Sequence, residues 1–190
     1  MTLLIAGLVA FLGIHSVRVL APGYRDTMIS RLGVGPWKGI YSLVSLSGLL
    51  AIIWGYGSAR AQYVHLYSLP DWSVYLTMIL MLISLVLAVS ADLPVGRIKQ
   101  AVKHPLLIGA KIWAIAHLLV NGDLASLVLF GSLFIWALFI LINASRRDVP
   151  DPVAQSSKGD FAAIGIGLAL WLAIIFWLHS WLIGVPVIAI

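Results

Sequence analysis

Between Lys103 and Asp123 the chain reads as an apolar run fit for a membrane, yet it carries His104, Lys111 and His117 and closes on Asn121-Gly122-Asp123. Ionisable side chains at membrane depth are costly, so each needs a partner, a water-filled cavity or a ligand. On a helix, Ala110, Trp113, Ala114 and His117 share one face, because steps of three, four and seven return to the same side. His104 and Lys111, seven apart, share another. The first face offers an imidazole beside two alanines, with room for a flat ligand. The second is cationic and lies near a membrane surface.

Further histidines stand on other apolar stretches. His15 shares a face with Gly7 and Phe11 and precedes Arg18 by three residues, and His179 lies in the last apolar segment. Imidazoles projecting from several helices are the ligand set of a haem held inside a bundle. The plainer readings are a His15 satisfied by a neighbouring helix and a solvated interfacial His179. Other chemistries lack their parts. No pair of carboxylates is placed to face inside the membrane, no Ser/His/Asp set is evident, and no Gly-rich phosphate loop or repeated zinc-ligand spacing occurs. The absence of cysteine excludes disulfides, thiolate sites and a cysteine nucleophile.

The elements that must position these residues follow from composition. Hydrophobic residues make up 62% of the 190 and charged residues 10%, with a mean hydropathy of +1.05. Soluble domains carry about a quarter charged residues, so this is an integral membrane protein. The expected fold is all-α, one bundle of six transmembrane helices in a single domain over residues 1–190. The six spans are roughly Thr2–Val19, Gly39–Tyr56, Ser73–Ala91, Pro105–Val120, Ala125–Ile142 and Phe161–Ile183, each near the twenty residues that cross a bilayer. The first has no basic residues before it and no clear cleavage site, unlike a signal peptide. Asn121–Leu124 reads as a tight turn and Asp148–Asp160 as a flexible loop. Ser45, Gly48 and Gly55 share a face on the second span, where small residues allow close helix approach. The third span reads as packing.

Charge in the loops sets orientation. Arg18, Arg25, Arg31 and Lys38 flank the first loop; Arg97, Lys99 and Lys103 lie in the third; Arg146, Arg147 and Lys158 lie in the fifth. Only Arg60 falls on the opposite side, with Lys111 inside a span. By the positive-inside rule the odd loops are cytoplasmic and both termini face out. The net charge of +5 therefore reflects loops beside a lipid bilayer and gives no reason to expect a nucleic-acid partner. All seven acids are aspartate.

Lys103-His104-Pro105, then Gly109, then Trp113-Ala114-x-Ala116-His117-Leu118-Leu119-x-Asn121-Gly122-Asp123 resembles the signature of the NnrU family of bacterial membrane proteins. It is also similar to the matching segment of plant 15-cis-ζ-carotene isomerase. His15-Ser16 and the closing His179-x-x-Leu182-x-Gly184-Val185 extend the resemblance over essentially the whole chain. The resemblance implies a protein of the bacterial inner membrane, where termini that face out by the positive-inside rule are periplasmic, linked to nitrite and nitric-oxide metabolism. The plant relative implies haem b, a hydrophobic polyene substrate and cis–trans isomerisation. Its haem ligands fall on His15 and His117. Its alternative cysteine ligand falls on Ala114, which cannot bind iron, so a redox-driven ligand switch is not implied.

Helix geometry pulls another way. His15 lies about 21 Å along its helix from the outer end and His117 about 21 Å from the inner end. Across a core of about 30 Å this separates them by roughly 12 Å in depth. Pairing His15 with His104, or His117 with His179, matches depth more easily, so the ligand pair stays open with His15 and His117 first and His104 next. Lys103, Lys111 and Arg18, with His104, are expected to form a cationic pocket for an anionic group, a haem propionate or a lipid headgroup. Two other classes stand beside the haem reading. One is a non-enzymatic assembly or regulatory factor for nitrogen-oxide respiration. The other is a membrane methyltransferase or reductase, which His104-Pro105 with Gly109 resembles but which the lack of glutamate disfavours.

Overall fold

The computed structural model describes residues 1–146, 152–154 and 156–188. Arg147 and residues 148–151 and 155 of the expected flexible loop lie outside them. The described residues form helices and no strand: α1 (Thr2–Leu20), α2 (Pro22–Leu32), α3 (Val34–Ala61), α4 (Trp72–Ser90), α5 (Arg97–Val102), α6 (Pro105–Val120), α7 (Leu124–Ser145), α8 (Lys158–Ala173), a π-helical stretch (Ile174–Leu178) and α9 (His179–Ile183). The chain forms two compact units, one of residues 1–69 and 117–144 and the other of residues 70–116 and 145–190.

A helix stands at each of the six expected spans, which makes this a multi-pass membrane protein. Among the described residues five of these helices have the length and hydropathy to cross a bilayer. Helix α6, at 16 residues, reaches about 24 Å and falls short of a hydrocarbon core of about 30 Å. Two further helices, α2 and α5, occupy stretches expected as loop. Pro22 at the first position of α2 suits a helix start, where no N–H is needed.

In the first unit, α1 and α3 run antiparallel at backbone contact. A Cβ on Gly7 would lie 2.9 Å from the Gly48 carbonyl, one on Gly48 2.8 Å from the Phe11 nitrogen, and one on Gly55 2.7 Å from the Leu4 Cα. The small residues anticipated on the second span thus let two apolar helices touch without side chains between them, the usual way helices associate where lipid supplies no hydrophobic drive. Leu4 and Leu8 are buried along this seam.

The second unit is built on α4. Its serines and threonine close the gaps that α6 leaves: Ser84 Oγ donates to the Gly109 carbonyl at 2.9 Å and Thr77 Oγ1 to the Ala116 carbonyl at 3.0 Å. On the α8 side, Gly167 lets the backbone at Val86 approach, with a would-be Cβ 2.9 Å from Val86 Cα, and Trp171 Nε1 donates to the Met78 carbonyl at 2.9 Å. The polar ends are tied by Asp160, whose carboxylate accepts the Arg97 and Ile98 N–H groups at 2.8 and 3.0 Å and so caps α5.

Candidate functional site

His15 sits near the end of α1, half-buried. Its Nδ1 lies 2.7 Å from the Phe11 carbonyl. A carbonyl only accepts, so Nδ1 carries a proton, and in the neutral ring Nε2 keeps its lone pair. This is the state in which a histidine binds a metal, with the second nitrogen anchored to backbone. The ring is held on three sides by aromatic neighbours, with centroids 4.3 Å from Phe11, 5.2 Å from Tyr41 and 6.2 Å from Trp136. Trp136 is fixed in turn, its Nε1 donating at 3.0 Å to Ser16 Oγ, which donates to the Leu12 carbonyl at 2.7 Å. One turn beyond Tyr41 on α3, the buried Ser45 hydroxyl has no partner in hydrogen-bond geometry among the described residues, although the Tyr41 hydroxyl comes near it.

His117, in the last turn of α6, stacks on Phe130 of α7 with centroids 4.6 Å apart and planes 25° apart. Phe130 is buried and meets the Tyr56 ring edge-on at 6.1 Å. The same unit therefore holds both first-choice histidines. They touch α7 six residues apart, at Trp136 and Phe130, or about 9 Å along its axis. Ala114, one turn before His117, is fully buried.

The Asn121-Gly122-Asp123 turn is anchored from within the same unit. Asn121 Nδ2 donates to the His117 carbonyl at 2.9 Å and ends α6. The Gly122 carbonyl accepts the Leu66 and Tyr67 N–H groups at 2.8 and 3.1 Å. Any side chain on Gly122 would collide with the Tyr67 carbonyl. Asp123, 3% exposed, caps α7: its carboxylate accepts the Ser126 N–H at 3.0 Å and the Ser126 hydroxyl at 2.6 Å. Ser126 Oγ is then left to accept from the Tyr56 hydroxyl at 2.8 Å. Burial raises the Tyr67 phenol above its ordinary pKa, and the Asp123 charge adds to the effect. Tyr67 donates to the Leu118 carbonyl at 2.6 Å.

The cationic residues fall otherwise. Arg18 is exposed in the last turn of α1, in the unit of His15. Lys103, His104 and Lys111 belong to the other unit. Lys103 is exposed and takes a left-handed φ of 57°, while His104 and Lys111 are half-buried at the start and middle of α6. His179 is explained by structure: its Nδ1–H donates to the Val185 carbonyl at 2.6 Å, across the Gly184 turn with φ of 76°. The His-x-x-Leu-x-Gly-Val pattern is thus a helix-ending motif. No group of three or more His, Cys, Asp or Glu side chains is placed to hold a bare metal ion among the described residues; one or two imidazoles suffice for a haem iron.

A family model described as NnrU protein matches residues 3–187. No curated protein and no solved structure matches the chain.

Proposed function

Because the chain belongs to the NnrU family, over residues 3–187, and presents a prepared imidazole inside an apolar unit, we propose that it binds b-type haem through His15 with His117 as second ligand. The reading extends to chemistry on a nitrogen oxide or a hydrophobic polyene at that iron. The observation that carries it is the His15 Nδ1–H bond to the Phe11 carbonyl at 2.7 Å, which leaves Nε2 as a Lewis base among Phe11, Tyr41 and Trp136. When bound, haem supplies a redox-active iron whose reactivity the surrounding cavity decides.

The chain's own residues supply position and polarity. Phe11, through its carbonyl, fixes the His15 tautomer; Trp136, locked by Ser16, fixes the ring plane; Phe130 holds His117 by stacking. Two nitrogens on one iron stand about 4 Å apart, twice a metal–nitrogen distance of about 2 Å. His15 and His117, whose contacts with α7 lie about 9 Å apart along its axis, would be the two residues that hold the group. Ala114 offers no replacement ligand. In this reading Arg18, exposed at the end of α1 in the same unit, faces the lipid boundary and does not bind iron. His15→Ala is expected to lower haem occupancy at least tenfold, and His117→Ala to change the ferric spectrum while retaining haem. Equal haem content in wild type and both variants would overturn the assignment.

A further inference from the structure

We infer that the elbow joining α1 to α3 is a binding site for an acidic phospholipid headgroup, with α2 lying along the bilayer surface as its platform. The helix has no buried residue over its 11 positions, yet it connects two helices long and apolar enough to cross a membrane. A polar segment tied at both ends to spanning helices is confined to the interface, and α2 has the mixed side chains that suit it. Tyr24 and Leu32 are exposed at 56% and 45%, and Val34, which opens α3, at 54%, positions where water alone would disfavour them and an acyl boundary would not. Tyr24 meets the buried Trp37 edge-on at 6.4 Å, which fixes α2 against the start of α3.

Charge selects the partner. Arg18, Arg31 and Lys38 are exposed and have no carboxylate within ion-pair distance among the described residues; Arg25 pairs at the surface with its neighbour Asp26 at 3.0 Å. Arg18 ends α1, Arg31 ends α2 and Lys38 lies in the first turns of α3, so all three cations gather where one span stops and the next begins. Against them stands a single carboxylate, Asp26, already shared with Arg25. Cations held at a membrane surface each favour an anionic lipid by roughly fivefold.

Native mass spectrometry of the full chain in a neutral detergent, titrated with phosphatidylglycerol or phosphatidylcholine, tests this. Wild type is expected to prefer phosphatidylglycerol, and Arg31→Gln to weaken that preference by roughly fivefold. The Arg18→Gln/Arg31→Gln/Lys38→Gln variant is expected to abolish it, while Arg60→Gln leaves it intact. Arg31 and its partners are exposed, so helix content by circular dichroism should be unchanged; should the triple variant misfold, Arg31→Gln alone decides. No preference in wild type, or the same loss in Arg60→Gln as in Arg31→Gln, would overturn the inference. Haem content plays no part in the readout, so the haem proposal stands or falls separately.

Discussion

Replacing Gly55 by alanine adds one methyl group where α3 touches the backbone of α1. The new Cβ would lie 2.7 Å from Leu4 Cα and 2.8 Å from the Leu3 carbonyl carbon, about 1 Å inside the ordinary carbon–carbon contact of 3.5–4.0 Å. Backbone atoms cannot rotate away, so the two helices must separate along a seam that includes the fully buried Leu4. Forcing a methyl into a filled interface costs about 1–3 kcal/mol, offset by up to about 1 kcal/mol because alanine is the better helix former. Gly57, two residues on in the same helix, supplies the control, since nothing lies within 4 Å of its would-be Cβ. Thermal unfolding followed by circular dichroism in detergent should show Gly55→Ala lowered by several degrees, at about 2–4 °C per kcal/mol for a chain of this size. Gly57→Ala should be unchanged or slightly raised. Equal midpoints for the two variants would refute the close approach of α1 and α3.

Asp123→Ala strips the α7 cap and leaves the Ser126 N–H and hydroxyl without their acceptor, an expected loss of about 1–3 kcal/mol; Asp123→Asn, which keeps one acceptor oxygen, should lose less, as chemical denaturation would show. Tyr67 gives a pH dependence: its folded pKa is raised above the unfolded value of 10.0, so the unfolded chain gives up the proton first. Its contribution is whole below pH 10 and is lost as pH rises through the folded value, and Tyr67→Phe should flatten that alkaline limb. For topology, ten of the twelve basic residues lie in the odd loops, which with six crossings places both termini outside. A C-terminal reporter that fluoresces only in the cytoplasm should stay dark; a bright one would mean that α6 does not cross.

The apolar helices were legible because bilayer-length hydropathy is a bulk property, and α6 was placed to the residue because Pro105 and Asn121 punctuate both its ends. Helix α3 runs five residues beyond the expected segment at each end, since Pro36 in a first turn removes no needed hydrogen bond. Helix α2 went unread for a related reason: Pro22-Gly23 looks like a turn when it is a helix start. At the site, the histidines were visible by type and face. Their surroundings were not, because Tyr41, Trp136 and Phe130 come from distant helices and carry no local mark. Asp123 and Asp160 were read as loop acids; both serve as helix caps. A Ser three residues after Asp123 was the available signal for one of them, while the bond from Asp160 to residues some sixty positions earlier had none.

The most direct test of the central claim is the absorption spectrum of the protein purified from haem-replete cells, with a pyridine haemochrome assay to identify the haem. A Soret band with the haemochrome of haem b, in about one-to-one ratio to the chain and lost in His15→Ala, is the predicted result. Wild-type protein with no Soret absorbance, unable to take up added hemin, would contradict it.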